Sequence, residues 1–144
     1  MKKKYLFFTF SFFIFHFCFA QIPEWDWASQ AGGHSFGHDE SNCICTDNQG
    51  NVYISGEIDS DTCYFDSLFL VNCASTCTYN SLFVAKLNPN GNFIWANGID
   101  VSSGVGYGIC CDNFGNVYIT GSVSGCFTFA NVTYCGYWNK DIVI

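Results

Sequence analysis

The sequence predicts an all-β chain made of four-stranded antiparallel sheets that occur about twice. The first indication is an internal repeat: residues 47–56 read DNQGNVYISG, and residues 112–121, 65 positions later, read DNFGNVYITG, with eight of ten residues identical. The second is that short apolar stretches alternate with turn residues. The third is that no window of useful length has helical periodicity. A repeat of this length is typical of folds in which each unit is one supersecondary structure.

The first twenty residues have the features of a secretory signal peptide. Residues 2–4 are all lysine, residues 5–19 form a Phe-rich apolar run, and Ala20 precedes Gln21. The run is shorter than the ~20 residues that a membrane span requires. We therefore expect cleavage between Ala20 and Gln21, and a protein that is secreted, either extracellular or at the cell surface.

The mature chain is strongly acidic. It keeps 12 carboxylates and, because the chain has no arginine, only Lys86 and Lys140 as cations, which gives a formal charge of −10. Nucleic-acid binding requires Lys and Arg to displace phosphate counterions, so this class of partner is excluded. Divalent cations and neutral ligands such as sugars remain compatible with the charge.

The segment after the cleavage site, residues 21–33, is predicted to contain a short strand around Trp25 and Trp27. Its counterpart is at residues 93–98, because Trp27–Ala28 matches Trp95–Ala96. We therefore interpret residues 21–33 as an unaccompanied fourth strand that precedes the first complete unit.

Residues 34–98 are predicted to form the first complete unit. After a polar loop, a strand leads to a turn at Asp47 and Gly50, which recurs at Asp112 and Gly115. Asp bonds its own backbone in turns, and Gly supplies the positive φ that closes them. The predicted strands of this unit are 43–46, 51–56, 82–87 and 92–97, with an extra hairpin at 63–65 and 68–72.

Residues 99–144 repeat this order as far as the third strand, at 141–144. Four-stranded sheets repeated every few tens of residues are typical of β-propellers, whose rings have ~4–8 blades. About two blades form only an incomplete ring. We therefore expect this chain to be the N-terminal part of a longer protein, with the remaining blades supplied by downstream sequence or by another chain. A short chain that completes its blades by oligomerising is the alternative.

Three blocks in this order resemble a known family: the repeated DNxGNVYI[ST]G, then FVAKLNPNG at residues 83–91, then FIWA at residues 93–96. Together they resemble the SBBP (seven-bladed beta-propeller) repeats of secreted bacterial proteins. The resemblance covers nearly all of the mature chain and implies a propeller fold. The many cysteines depart from the family pattern.

Nine cysteines remain after cleavage, and disulfides are expected in an exported chain. Cys126 and Cys135 are the best pair, because a two-residue turn would place them opposite each other on the second hairpin, within disulfide range. Cys63 and Cys73 are the matching pair in the first copy, with Cys77 as a competitor for Cys73. An odd number leaves at least one cysteine free or paired elsewhere.

The remaining cysteines lie on the strand before each turn. Cys45 and Cys110 are equivalent in the repeat, which favours a packing role as small buried side chains. A thiolate metal site between units is the alternative, but zinc sites usually space cysteines as C-x2–4-C. The strand cysteines instead have C-x-C and CC spacing, at Cys43, Cys45, Cys110 and Cys111.

Other ligand types do not form a recognisable site. His34, His38, Asp39 and Glu40 lie in a Gly-containing loop without the HExxH pattern, and Asp47 and Asp112 lack EF-hand spacing. No nucleophile-and-base pattern, catalytic residue, cofactor or metal is predicted. We therefore expect a secreted, non-catalytic propeller module that binds or scaffolds an unknown protein or carbohydrate partner. The alternative is the N-terminal part of a propeller enzyme, quinoprotein dehydrogenase-like or glycan-cleaving, whose catalytic residues lie outside this segment.

Overall fold

A computed structural model describes residues 24–34, 37–72, 80–99, 103–129, 132–135 and 141–143. The predicted signal peptide, its cleavage site at Ala20 and Gln21, and the loop that contains Cys73 and Cys77 lie outside these residues. Across the described ranges no helix is long and apolar enough to cross a bilayer.

All regular structure in the described ranges is β. The strands are β1 (Ala31–Gly32), β2 (Glu40–Thr46), β3 (Val52–Ile58), β4 (Thr62–Phe65), β5 (Leu68–Val71), β6 (Ser81–Leu87), β7 (Phe93–Ile99), β8 (Ser103–Cys111), β9 (Val117–Ser124), β10 (Cys126–Phe129), β11 (Val132–Cys135) and β12 (Asp141–Val143). The predicted all-β fold is confirmed.

The first sheet has the order β2-β3-β6-β7, and every neighbouring pair in it is antiparallel. The β4–β5 hairpin is inserted between β3 and β6, and β1 pairs with β4 to extend the hairpin to three strands. The four-stranded antiparallel sheet with an inserted hairpin therefore agrees with the sequence-based prediction.

The second sheet, of order β12-β9-β8, repeats this arrangement with the β10–β11 hairpin inserted between β9 and β12. Register is preserved between copies: Cys45 lies opposite Tyr53, and Cys110 lies opposite Tyr118. A register shift also recurs, between Ser41 and Cys43 in β2 and between residues 106 and 108 in β8. Within the described ranges the two sheets do not close into a barrel or a ring.

One face of the first sheet, which we call its front face, carries Ile54 and Phe83. Side chains alternate along a strand, so Tyr53 and Ser55 lie on the opposite, back face. The β4–β5 hairpin covers the front face: Phe65 is fully buried, with ring centroids 5.5 Å from Phe83 and 5.2 Å from Phe93. The main apolar cluster therefore lies between the first sheet and its own hairpin.

The segment before β1 differs from the prediction. Residues 24–30 form no strand, and only Ala31–Gly32 pairs in a sheet, with β4 of the hairpin. Trp27 instead packs on Gly91, and its indole Nε1 donates a hydrogen bond to the carbonyl of Pro89 at 2.9 Å. Ser29 Oγ also donates to the carbonyl of Gly91. These side-chain hydrogen bonds attach the segment to the turn between β6 and β7. A strand would instead require hydrogen bonds between backbone groups of the segment and of a neighbouring strand.

Candidate functional site

Three turns in the first and second sheets share one geometry. In each, an Asp or Asn at the first position accepts backbone N–H groups two and four residues later, at 2.9–3.0 Å. The glycine at the fourth position has a φ of 80° or 87°, which only glycine adopts without strain. The first residues of these turns are Asp47, Asn88 and Asp112. The predicted turn role of Asp47, Gly50, Asp112 and Gly115 is what the structure shows.

The two Asp turns use both carboxylate oxygens. Asp112 Oδ2 accepts the Asn116 side-chain amide at 2.6 Å and the Tyr118 hydroxyl at 3.2 Å. Asp47 makes the same two contacts with Asn51 and Tyr53, at 2.7 Å and 3.1 Å. The hydrogen bond from the Asn side-chain amide is the main reason that the pKa of each Asp is below its ordinary value. The hydrogen bond that the Tyr118 hydroxyl donates to Asp112 raises the pKa of Tyr118. The repeated Asp, Asn and Tyr therefore form one local network.

Asp39 has a structural role that the sequence did not reveal. Its Oδ1 accepts the backbone N–H groups of Asp59 and Ser60 at 3.0 Å, and its Oδ2 accepts the Gly33 N–H and the Ser60 hydroxyl at 2.7 Å. Burial opposes the charge of Asp39, but these hydrogen bonds outweigh burial and lower its pKa. Asp39 therefore connects the loop before β2 to the loop before β4.

The back face of the first sheet packs against the second sheet. A disulfide joins Cys45 of β2 to Cys111 of β8, with a Cα–Cα distance of 6.6 Å. The expected packing role for Cys45 as a free thiol is therefore wrong. In two sheets stacked in the same orientation, equivalent residues lie on the same face of their sheets. Cys45 lies on the back face of the first sheet, so its partner must lie on the front face of the second, an odd number of positions from the counterpart of Cys45. Cys111 meets this condition because it is one position beyond Cys110, the counterpart of Cys45.

Glycines allow the two sheets to approach closely. A Cβ at Gly106 would overlap the Oγ of Ser55, which is fully buried and donates to the carbonyl of Phe83 at 2.6 Å. A Cβ at Gly121 would meet the side chain of Leu82 and the carbonyl of Val105. The front face of the second sheet therefore lies directly on the back face of the first.

Equivalent turns of the two units touch. The Asn48 side-chain amide donates to Asn113 Oδ1 at 2.7 Å, and these residues are 65 positions apart, which is the repeat length. The front face of the second sheet lies on the back face of the first, which excludes a two-fold arrangement in which like faces meet. With the faces arranged in this way, contact between repeat counterparts means that the second unit is displaced from the first without being turned over. The two units therefore stack in the same orientation.

The outer surface of this stack is a sheet face that lacks a neighbour in the described ranges. Tyr53 and Ser55 are 2% and 0% exposed, and Ser55 lies against Gly106 of the second sheet. Their counterparts on the back face of the second sheet are accessible: Tyr118 is 49% exposed, and Thr120 is exposed. The back face of the second sheet therefore carries the same residue types as the back face of the first sheet, which is the face that contacts the second unit.

A cavity of about 240 Å³ lies on the front face of the first sheet. Its walls include Trp27, Ile44, Phe93 and Glu40, the first residue of β2. Ile44, on the edge strand β2 of this face, is 67% exposed. Both ends of the two-sheet stack thus carry accessible apolar side chains.

The other cysteines divide by environment. Cys126 and Cys135 form the predicted hairpin disulfide, opposite each other in the ladder with a Cα–Cα distance of 4.0 Å. Cys63 is a free buried thiol, and Cys73, the partner expected for it, lies outside the described residues. In its copy the residue opposite Cys63 is Leu70, which leaves the thiol without a partner across the ladder. Burial, and secondarily the nearby Asp39 charge, raise the pKa of Cys63 to about 12.

Cys43 and Cys110 are also free, the first partly buried and the second exposed. The Cys43 thiol donates to the carbonyl of Ser55, and burial raises its pKa. Among the described residues, no group of three or more His, Cys, Asp or Glu could hold a metal ion. His34, from the polar loop, lies 5.9 Å from the ring of Tyr64 and is exposed, as is His38.

Comparison with protein-family models, curated proteins and solved structures finds no match to this chain. Function must therefore be argued from the repeated sheets and their contacts alone.

Proposed function

We propose that this chain is part of a secreted, non-catalytic β-propeller of the repeat type, in which the blades form a rigid scaffold for binding a protein or carbohydrate partner. The observation that carries the proposal is the stacking of two repeat units in the same orientation. The Asn48–Asn113 contact and the Cys45–Cys111 disulfide both join them.

Ring closure is one outcome of repeating that contact. The observed contact joins the back face of the first unit to the front face of the second, so the two units present different faces to each other. A head-to-tail contact repeated with a constant rotation either closes into a ring or continues as an open stack. Four-stranded antiparallel sheets arranged radially are the propeller solution to this geometry.

Export is supported by two disulfides in the described ranges, because disulfides form and persist in oxidising compartments outside the cytosol. A scaffolding role is supported by the way the candidate chemical groups are used. The Asp47, Asp112 and Asp39 carboxylates are each occupied by several hydrogen bonds within the fold. Loops on a rigid framework are where binding residues concentrate, so a partner would contact the loops at the rim.

Electron microscopy of the protein as secreted by the cells that make it tests the proposal. We expect class averages that show a closed ring of blades around a central axis. Particles that form an open stack, or a globular particle without radial repetition, would refute the propeller assignment. Surface plasmon resonance of the same preparation over immobilised surface polysaccharide then separates a carbohydrate partner from a protein partner.

A further inference from the structure

The second unit repeats an interface whose outcome is visible in the first. On the back face of the first sheet, Ser55 is fully buried against Gly106 of the second sheet, and Cys45 forms a disulfide across the contact. Tyr53, on the same face, is buried beside Lys86 and Trp95 of its own sheet. On the back face of the second sheet, the same three positions hold a tyrosine, a hydroxyl residue and a cysteine: Tyr118, Thr120 and Cys110. The surface is chemically conserved between copies, but it differs in what covers it.

Cys110 is the position of interest on this face. It is exposed and free, and it lies opposite Tyr118 in the same register as Cys45 opposite Tyr53. Cys45 reaches a cysteine of the next sheet that lies directly before an Asp-x-x-Gly-Asn turn, namely Cys111 before Asp112. A third sheet stacked in the same way would bring its residue before the turn to the same distance from Cys110.

We propose that the back face of the second sheet binds a third unit of the same type, and that Cys110 forms a disulfide with the cysteine directly before that unit's Asp-x-x-Gly-Asn turn. The inference rests on the proposed function in one respect only, that the sheets continue as a stack. Continuity with the observed Cys45–Cys111 interface identifies the occupant.

A second copy of this chain fits the face less well. The complementary surface of a copy would be the front face of its first sheet, where the residue before the turn is Thr46, which has no thiol. A third unit with a cysteine in place of Thr46 supplies the thiol that a copy of this chain lacks.

The covalent step is an ordinary thiol–disulfide exchange. The Cys110 thiol and its partner thiol lose two protons and two electrons in total and form one S–S bond. A disulfide-bonded oxidant protein of the export compartment takes up the two electrons and two protons and becomes a dithiol. The exposure of Cys110 gives such an oxidant access before the third unit docks.

The test is a disulfide map of the protein as secreted by the cells that make it, with free thiols blocked by N-ethylmaleimide at harvest. We expect Cys110 to be joined by a disulfide to a peptide of another unit, in which a cysteine directly precedes Asp-x-x-Gly-Asn. Cys111, which lies in the same peptide as Cys110, should remain joined to Cys45. Recovery of Cys110 as the N-ethylmaleimide adduct would refute the proposal. So would its pairing with Cys43, or with Cys110 of another molecule.

Hydroxyl-radical labelling of the same preparation tests the non-covalent part. Tyr118 and Tyr64 are similarly accessible in this structure, at 49% and 45%, and Tyr64 lies on the hairpin far from the stacking face. We expect Tyr118 to be labelled at least fivefold more slowly than Tyr64, because a third unit covers it. Equal rates would contradict the proposal.

The two proposals fail separately. A ring in electron microscopy with Cys110 as a free thiol would retain the propeller and refute the disulfide. An open stack with Cys110 paired as described would refute the propeller and retain the stacking interface.

Discussion

The substitution Gly106→Ala should destabilise the chain by about 2–3 kcal/mol, because the two sheets have no room for a methyl group at this position. The new Cβ would overlap Ser55 Oγ and lie 3.2 Å from the backbone nitrogen of Gly56. Overpacking of this kind costs ~1–3 kcal/mol. Displacement of Ser55 would also break its hydrogen bond to the Phe83 carbonyl, which is buried, and a net loss of ~1 kcal/mol is typical for such a bond.

Gly98→Ala is the matched control. Gly98 is also a strand glycine outside the positive-φ region, but its Cβ would make only ordinary contacts, 3.7 Å from Leu70 Cδ1 and 3.9 Å from the Leu82 carbonyl. Because glycine in a strand loses more conformational entropy on folding than alanine, Gly98→Ala should be neutral or stabilise by up to ~1 kcal/mol. The difference between the two variants isolates the contact between the sheets.

The assay is urea denaturation of the chain with its disulfides intact, followed by tryptophan fluorescence. A double-mutant cycle with Ser55→Ala strengthens the result. Removing the hydroxyl leaves space for the new methyl group, so Gly106→Ala should cost at least ~1 kcal/mol less in the Ser55→Ala background. If Gly106→Ala changes the free energy of unfolding by less than ~0.5 kcal/mol, or if the cycle shows no coupling, the proposed sheet contact is refuted.

Three further predictions concern disulfides, acid and thiols. Cys45→Ser should lower the free energy of unfolding by ~4 kcal/mol and Cys135→Ser by only ~2.5 kcal/mol, because the two disulfides span 66 and 9 residues and a longer loop removes more entropy from the unfolded chain. Equal losses in urea denaturation would contradict this prediction. The pKa of Asp112 is lowered in the folded chain, so its contribution is complete above pH ~4 and is lost as pH falls through the folded value; Asp112→Asn should therefore reduce the pH dependence of the urea midpoint between pH 5 and 2, and an unchanged profile would refute the role of this carboxylate. In the isolated 144-residue chain, iodoacetamide at pH 8 should modify exposed Cys110 within minutes and buried Cys63, whose pKa is raised to about 12, only on unfolding; peptide mass spectrometry would contradict this if both react at the same rate.

Features that depend on neighbouring residues could be predicted from the sequence. The turn at Asp47 is determined by its own carboxylate and by the positive φ of Gly50, both local in sequence. The Cys126–Cys135 disulfide follows from a short hairpin ladder, in which a two-residue turn fixes which residues are opposite. The repeat itself located most strands, because the same pattern occurred twice.

Features that depend on how the sheets pack could not be predicted in the same way. The equivalence of Cys45 and Cys110 indicated a common role, but the pairing with Cys111 depends on which faces of the two sheets meet. Asp39 accepts a hydrogen bond from the backbone N–H of Ser60, which is 21 positions away in the sequence. No local sequence pattern identifies such a partner. Asn51 and Tyr53 recur unchanged in the second unit, although the turn itself requires neither residue. This recurrence was the sequence signal that could have revealed the hydrogen-bond network around the Asp carboxylate.

The proposed function depends on two repeat units that are stacked in the same orientation, back face to front face. Its most direct test is to locate the Cys45 disulfide, using fragmentation between residues 110 and 111 of the non-reduced peptide in a mass spectrometer. We predict a bond from Cys45 to Cys111 and none from Cys45 to Cys110. A bond from Cys45 to Cys110 would mean that like faces of the two sheets meet, and it would contradict the stacking on which the proposed function depends.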